Sequence, residues 1–157
     1  MGKDITFREI KDGEESRACH LVMESFNEFV APGYSEEGVT EFSKYLNPQF
    51  MQWRLANNHF VLVALDKDVL IGIIEVRNDN HISLLFVKKA YHKRGISKKV
   101  LEMTITKCRQ YNANNAIIEV NSSPFAVPVY EKMGFVKTNT EQIINGIRFI
   151  PMTRNLS

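Results

Sequence analysis

Ser83–Lys99 reads SLLFVKKAYHKRGISKK, and this stretch decides the fold. Leu84-Leu85-Phe86-Val87 is a short apolar run with a β-branched end, the composition of a buried strand. From Ile96 onward, Val100, Ile105 and Cys108 recur at helical spacing, with Leu101 and Thr104 beside them. Between strand and helix, residues 88–99 hold six lysines and arginines, His92, the single glycine Gly95 and no acid. The start of a helix carries about +0.5 charge and favours Asp or Glu by roughly 0.3–1 kcal/mol per charge. Arg94, Lys98 and Lys99 crowd that end instead. An anion resting on backbone N–H groups that Gly95 leaves uncovered removes the conflict. The stretch therefore predicts a phosphate-bearing ligand at the start of this helix. A solvated basic turn is the competing reading.

The surrounding chain suits one α/β domain. Its 157 residues are enough for a full core, which favours a single domain over 1–157. Net charge is only +2, so the basic charge is local and favours a small anion over a long nucleic acid. Cys19 and Cys108 lie far apart and show no metal-ligand spacing, which points to reduced thiols, no metal and a cytoplasmic setting. No apolar run approaches the ~18 residues of a membrane span, and no apolar signal segment opens the chain. Met1-Gly2-Lys3-Asp4-Ile5-Thr6 matches a loose myristoylation pattern, but Ile5 and Phe7 are better read as part of a first strand.

Taken in order, Asp4–Ile10 alternates as strand one. A helix follows to about Val30, with Ala18, Leu21, Val22, Phe26 and Phe29 on its apolar stripe, and Pro32-Gly33 stops it. Ser35-Glu36-Glu37 supplies a cap and first-turn acids for a second helix to Leu46. Asn47-Pro48 opens a short third one to Asn57. His59–Leu65, Leu70–Val76 and His81–Val87 read as an antiparallel meander, and Gly72 inside the second strand signals a bulge or a close backbone approach. The central helix runs to about Tyr111. Ala116–Val120 follows one helix after the central strand, so those two strands are parallel with a right-handed crossover. Ser123 and Pro124 start a short helix through Lys132. Phe135–Ile144 and Ile147–Arg154 flank Asn145-Gly146, a strong hairpin signal. The expected fold class is α/β: a mixed central sheet with an N-terminal antiparallel meander, a parallel pair in the middle and a C-terminal hairpin, flanked by helices.

With these pieces in place, the chain resembles the GCN5-related N-acetyltransferase (GNAT) superfamily from about Asp4 to Leu156. That family's phosphate loop is usually Gln/Arg-x-x-Gly-x-Gly/Ala before a helix, and here the window is His92-Lys93-Arg94-Gly95-Ile96-Ser97. The central glycine matches; His92 and Ser97 replace the flanking consensus residues. Ala126-Val127-Pro128-Val129-Tyr130-Glu131-Lys132-Met133-Gly134-Phe135 is similar to the family's Ala-x-x-x-Tyr-x-x-x-Gly-Phe. Order and spacing make the joint match more specific than either window alone. The resemblance implies acetyl-coenzyme A as co-substrate and a primary amine, on a small molecule or a peptide, as acceptor. It implies that residues 81–111 form the strand–loop–helix that holds acetyl-coenzyme A. Backbone groups of Leu85, Phe86 and Val87 would bond the pantetheine arm and present an oxyanion donor. Residues Lys93 to Lys98, with Ile96 among them, would hold the pyrophosphate, and Asn121 would add a polar contact if it is not simply a turn residue. Residues 26–57 would shape the acceptor side.

The same resemblance places Tyr130 as the acid for the departing thiolate, a role open to a phenol protonated at neutral pH. Packing of a buried Tyr130 against Phe135, with its hydroxyl bonded to a carbonyl, is the structural alternative. His81, placed by a period of two on the face of Ser83, Leu85 and Val87, is the candidate base, its ordinary pKa near 6.5 suiting that work. A turn-edge histidine bonded to Asn78 or Asn80 is its alternative, and Glu75 is the rival base, unless it merely faces solvent. Seven of the sixteen aromatics fall between Phe26 and Trp53, either as an acceptor wall or as helix packing. A non-catalytic acyl-coenzyme A sensor on the same fold is the alternative function, and a homodimer is compatible with it. The sequence leaves the acceptor and the oligomeric state open.

Overall fold

A computed structural model describes residues 4–156. The Met1-Gly2 pattern therefore lies largely outside the described residues. The chain runs β1 (Ile5–Glu9), α1 (Glu15–Ser25), α2 (Glu36–Tyr45), α3 (Pro48–Leu55), β2 (His59–Asp66), β3 (Val69–Arg77), β4 (His81–Val87), α4 (Ile96–Tyr111), β5 (Ile117–Ser122), α5 (Val127–Lys132), β6 (Val136–Lys137), β7 (Gln142–Ile144) and β8 (Ile147–Asn155). The sheet order is β1-β2-β3-β4-β5-β8-β6, with β7 also on β8. Strands β1 to β4 form the antiparallel meander, β4 and β5 the parallel pair, and β5–β8 is antiparallel again. The expected mixed sheet is thus the observed one.

Two apolar layers sandwich this sheet. On one face, Ala18, Leu21 and Val22 of α1 and Met51 of α3 pack on Val61, Val63, Ile73 and Leu84. On the other, Val100, Leu101 and Ile105 of α4 pack on Ile74, Val76 and Ile82. Alternate residues of β2 and β3 therefore serve opposite layers, as the period of two requires.

Local departures from regular geometry place the site. Where the helix of residues 15–30 was expected to run on unchanged, it widens to a π turn at Phe26–Val30 and tightens to a 3₁₀ turn at Ala31–Gly33. Extra residues at such turns rotate the side chains that follow. The β2–β3 register slips beside Gly72, and a Cβ on Gly72 would touch Ile96 Cγ2 at 3.5 Å. The start of α4 thus lies directly against the sheet there. A second slip, in β3–β4, leaves Ser83 unpaired as a bulge, with Glu75 opposite Leu84 and Val76 opposite Ile82.

Two expected boundaries move. Pro124 does not open α5; the chain from Ser123 to Ala126 is a turn in which Ser123 Oγ accepts from the Ala126 amide at 3.2 Å, and Pro128 sits at the helix start. The strand expected over 135–144 splits into β6 and β7, which bond different parts of β8. The Asn145-Gly146 turn forms as expected, both residues at positive φ.

The first helix is pinned to the first strand by Glu14. Its carboxylate takes two bonds from Arg8 at 2.8 Å, one from Arg17 at 2.9 Å and one from the Lys11 amide at 2.8 Å. Chiefly through Arg8, its pKa falls from 4.5 to about 2. A pKa lowered by folding stabilises the protein above the unfolded value and is lost as pH falls through the folded one. Glu14→Gln is expected to cost about 1–3 kcal/mol at neutral pH in urea denaturation. That difference should close as the pH is lowered from 4.5 towards 2. A gap independent of pH would show that the Arg8 pair does not hold this junction.

Candidate active site

Strands β4 and β5 pair only at His81–Glu119 and Ile82–Val120, then part. Beyond Ile82 the β5-facing edge of β4 has no strand beside it. Parallel pairing stops after Ile82, and the start of α4 and residues of the π turn at Phe26–Val30 both line the opening. The gap widens into a cleft of about 940 Å³, walled by β4, the start of α4, β5, α5 and the β7–β8 hairpin.

The start of α4 opens on this cleft without a cap. Gly95 is its N-cap at φ 77, and no side chain bonds the free amides. The first intrahelical bond runs from Lys99 N to Gly95 O at 3.0 Å, so the amides of Gly95 to Lys98 precede the helical ladder. A Cβ added at Gly95 would meet nothing within 4 Å, so space is open there and the left-handed backbone is what demands glycine. Lys93, at φ 63, aims the turn that brings this end to the cleft.

The residues expected around the anion are divided by the fold. His92, Lys93, Gly95, Ile96, Ser97 and Lys98 line the cleft, but Arg94 does not. Its guanidinium lies 5.2 Å from the Tyr91 ring centre. Lys89 pairs with Glu28 at 3.3 Å. The cations are therefore spread over several directions, unlike the continuous basic stripe that nucleic acid requires. His92 Nε2 donates to the Val87 carbonyl at 2.7 Å, which closes the turn after β4. That bond leaves only Nδ1 towards the cleft, a lone pair when the ring is neutral. Lys132 also lines the cleft and was not foreseen.

Leu85, Phe86 and Val87 of β4 line the cleft on one side and Asn121 on the other. Asn121 is exposed and lies within β5, opposite Pro151, which excludes the turn role. Tyr130 lines the cleft from α5 and packs edge-on against Phe135, ring centres 5.2 Å apart. Among the described residues none accepts a hydrogen bond from its hydroxyl, so the carbonyl partner of the structural alternative is missing. Burial pushes its pKa well above 10.

His81 lines the cleft, but on a different face from the one expected. The Ser83 bulge shifts the alternation, so His81 faces the same side as Leu84 and Phe86, opposite Arg77, Glu75 and Ile73. Leu85 points to the other layer. A bulge of one residue flips every following side chain, and the sequence carries no sign of it. His81 Nε2 accepts from Arg77 Nη2 at 3.2 Å, and Nδ1 lies 3.7 Å from the Glu119 carboxylate. Burial first, then Arg77, holds its pKa below 6.5. It does not bond Asn78 or Asn80.

Glu75 does not face solvent. It is fully buried, and its carboxylate takes Arg54 Nε at 2.7 Å, Arg54 Nη2 at 3.1 Å and His59 Nδ1 at 2.8 Å. The Tyr45 hydroxyl stands between this carboxylate and the cleft, 3.3 Å from Glu75 and 3.1 Å from Ser83 Oγ. Burial pushes the Tyr45 pKa up to about 12, so it stays a donor. Glu75 is thus fully engaged by cationic and neutral donors and is poorly placed as a free base. Tyr45 was expected only as part of an aromatic wall; its meeting with Ser83 was not foreseen, because it depends on the bulge and on a contact 38 residues apart.

Of the seven aromatics between Phe26 and Trp53, five reach the cleft; Phe50 and Trp53 are turned outward, 56% and 65% exposed. Phe29 bridges the cleft, its ring 5.3 Å from His92 and 5.2 Å from Phe125.

The family model for the acetyltransferase (GNAT) domain matches residues 30–156. The chain belongs to the GNAT acetyltransferase family. The fission-yeast (Schizosaccharomyces pombe) N-alpha-acetyltransferase 30 is 28% identical over 106 residues, covering 61% of this chain and 68% of that protein. A GCN5-related N-acetyltransferase from Rhodopseudomonas palustris shares the fold with TM-score 0.82 at 20% identity, over 96% of this chain and 94% of that one. PaiA N-acetyltransferase from Thermoplasma acidophilum, in complex with coenzyme A, superposes with TM-score 0.79 at 19% identity, over 96% and 98% of the two chains. Use of acetyl-coenzyme A is general to GNAT acetyltransferases, and the cleft of this GNAT domain fits such a group: free helix amides, a bare strand edge and Lys93 and Lys98 converge on it. Among the described residues, no group of three or more His, Cys, Asp or Glu could hold a metal ion, and no helix is long and apolar enough to cross a membrane.

The Arg54–Glu75 pair lies behind this GNAT cleft, reached from the lining through the Tyr45 hydroxyl. Arg54→Met is expected to cost about 3–5 kcal/mol in urea denaturation, because it strands a buried carboxylate. Adding Glu75→Leu should recover part of that loss. No recovery would mean the pair acts through something other than charge compensation.

Proposed function

We propose that this protein transfers acetyl from acetyl-coenzyme A to a primary amine by direct attack of the amine on the thioester. The observation that carries the reading is the uncapped start of α4, opening at the point where β4 and β5 part. In this reading the amides of Gly95 to Lys98 bind the pyrophosphate, aided by Lys93 and Lys98. Arg94 contributes at most to the surrounding potential, since it lies over Tyr91. Leu85 to Val87 bond the pantetheine arm with the strand edge that β5 abandons, as an added strand would. An N–H of that segment polarises the thioester carbonyl. Asn121 closes the opposite side.

Tyr130 serves the departing sulfur. Its pKa lies above 10 and a thiol's near 8.5, so complete proton transfer is uphill by about 2 kcal/mol or more. Its work is therefore hydrogen-bond donation to the sulfur as charge develops there, with the proton following late. His81 is neutral at pH 7 because its pKa is held below 6.5, the state a base needs. Its Nε2 lone pair must first leave Arg77, so it takes the amine's proton through water or after Arg77 swings aside.

The test is release of free thiol from acetyl-coenzyme A with a panel of amines. Gly95→Glu should abolish coenzyme A binding in isothermal titration, because it adds a negative charge at the anion site and forces a side chain into φ 77. Normal affinity in that variant would displace the pyrophosphate from α4.

Tyr130→Phe should leave coenzyme A affinity near wild type and lower turnover by about 10²-fold. An unchanged turnover would remove Tyr130 from the chemistry.

A further inference from the structure

We infer that the acceptor is a small primary amine carried on one aromatic or branched apolar body, with no second cationic group. This rests on the acetyl-transfer reading above and adds to it the class of acceptor.

The wall opposite the start of α4 is aromatic and rigid. Phe26 and Phe42 stack with ring centres 4.1 Å apart, and Tyr34 meets Phe26 edge-on at 5.5 Å. Phe42 in turn lies 6.3 Å from Phe86 of β4, so the wall reaches the strand that is to hold the thioester. Ile147 and Phe149 of β8 continue it across the gap. A wall of this kind rewards burial of an apolar body and has few groups to solvate a charge.

Charge disfavours a polyamine. Glu41 is the one acid among the described residues lining the cleft, and it already lies 3.7 Å from Lys44. Glu75, behind the wall, is saturated by Arg54 and His59 and screened by Tyr45, and Glu119, off the lining, faces His81 Nδ1 at 3.7 Å. Arg77 and Lys132 also line the cleft and stay positive with the donor bound, whereas Lys93 and Lys98 are taken by its pyrophosphate in the reading above. A second ammonium would meet Arg77 and Lys132 in a cleft whose one lining acid, among the described residues, already lies beside Lys44.

Shape argues against an extended peptide. The loop before α2 is strapped to the β7–β8 hairpin across the mouth of the gap. Tyr34 donates to the Arg148 carbonyl at 2.9 Å, and Arg148 Nη1 donates to the Gly33 carbonyl at 2.8 Å. Gly38 and Gly146 touch backbone to backbone, so closely that a Cβ built on Gly38 would fall 2.2 Å from the Gly146 oxygen. A chain running out of the cleft on this side would have to part that contact.

The experiment compares wild-type kcat/KM, by thiol release, for 2-phenylethylamine, spermidine and an apolar tetrapeptide with a free N-terminus, with coenzyme A binding measured alongside. The aromatic amine should exceed each of the others by about tenfold or more. Phe42→Ala should raise its KM about tenfold while leaving the KM for acetyl-coenzyme A unchanged, and thermal melting establishes that the variant is folded. If Phe42→Ala does not fold, Phe42→Leu takes its place in the same comparison. Equal or better use of spermidine or of the peptide overturns the inference and leaves acetyl transfer standing. Coenzyme A binding without turnover of the aromatic amine also overturns it. Loss of coenzyme A binding in the wild-type protein would instead sink the acetyl-transfer reading beneath it.

Discussion

Two parallel strands that bond for two residues and then separate set the terms for the rest of this molecule. A sheet ordinarily satisfies every backbone donor and acceptor in its interior. Here β4 loses its neighbour just where its sequence is most apolar, and α4 begins uncapped across the same gap. The fold tolerates these free groups because both sheet layers are well packed away from the opening. Val100, Leu101 and Ile105 bury one face and α1 and α3 the other. The stability sits in the layers, and the unsatisfied backbone is concentrated in one place where a ligand can use it.

The irregular turns around the gap then decide its chemistry. The π turn rolls Phe26 and Phe29 inward, the Ser83 bulge turns His81 towards Arg77, and Gly72 lets α4 approach the sheet. Each is a departure of one residue from regular geometry. Behind the cleft the buried Arg54–Glu75 pair engages a carboxylate and leaves the Tyr45 and Ser83 hydroxyls on the lining.

Charge is distributed with the same economy. The cluster between Lys88 and Lys99 is one block in the sequence, yet in space Lys89 goes to Glu28, Arg94 to Tyr91 and Lys93 and Lys98 to the cleft. What remains facing inward is the pair of lysines that the proposed pyrophosphate site would use.

The sequence by itself determined the order of elements, the mixed sheet, the Asn145-Gly146 hairpin and the Gly95 turn. Those features are written in local signals: apolar period, caps, breakers and a glycine where the backbone must turn left-handed. It also suggested an anion at the start of α4, because basic residues at a helix start conflict with the helix's own field, and the structure leaves that end without a side-chain cap. Only the tertiary structure decided that His81 shares a face with Leu84 instead of Leu85, that Glu75 is buried against Arg54, that Arg94 leaves the cleft and that Phe50 and Trp53 turn outward. These depend on strand register and on partners 21 or 38 residues away. A pattern read along the chain assumes regular alternation, and one inserted residue, stabilised by contacts the pattern does not contain, reverses every face after it.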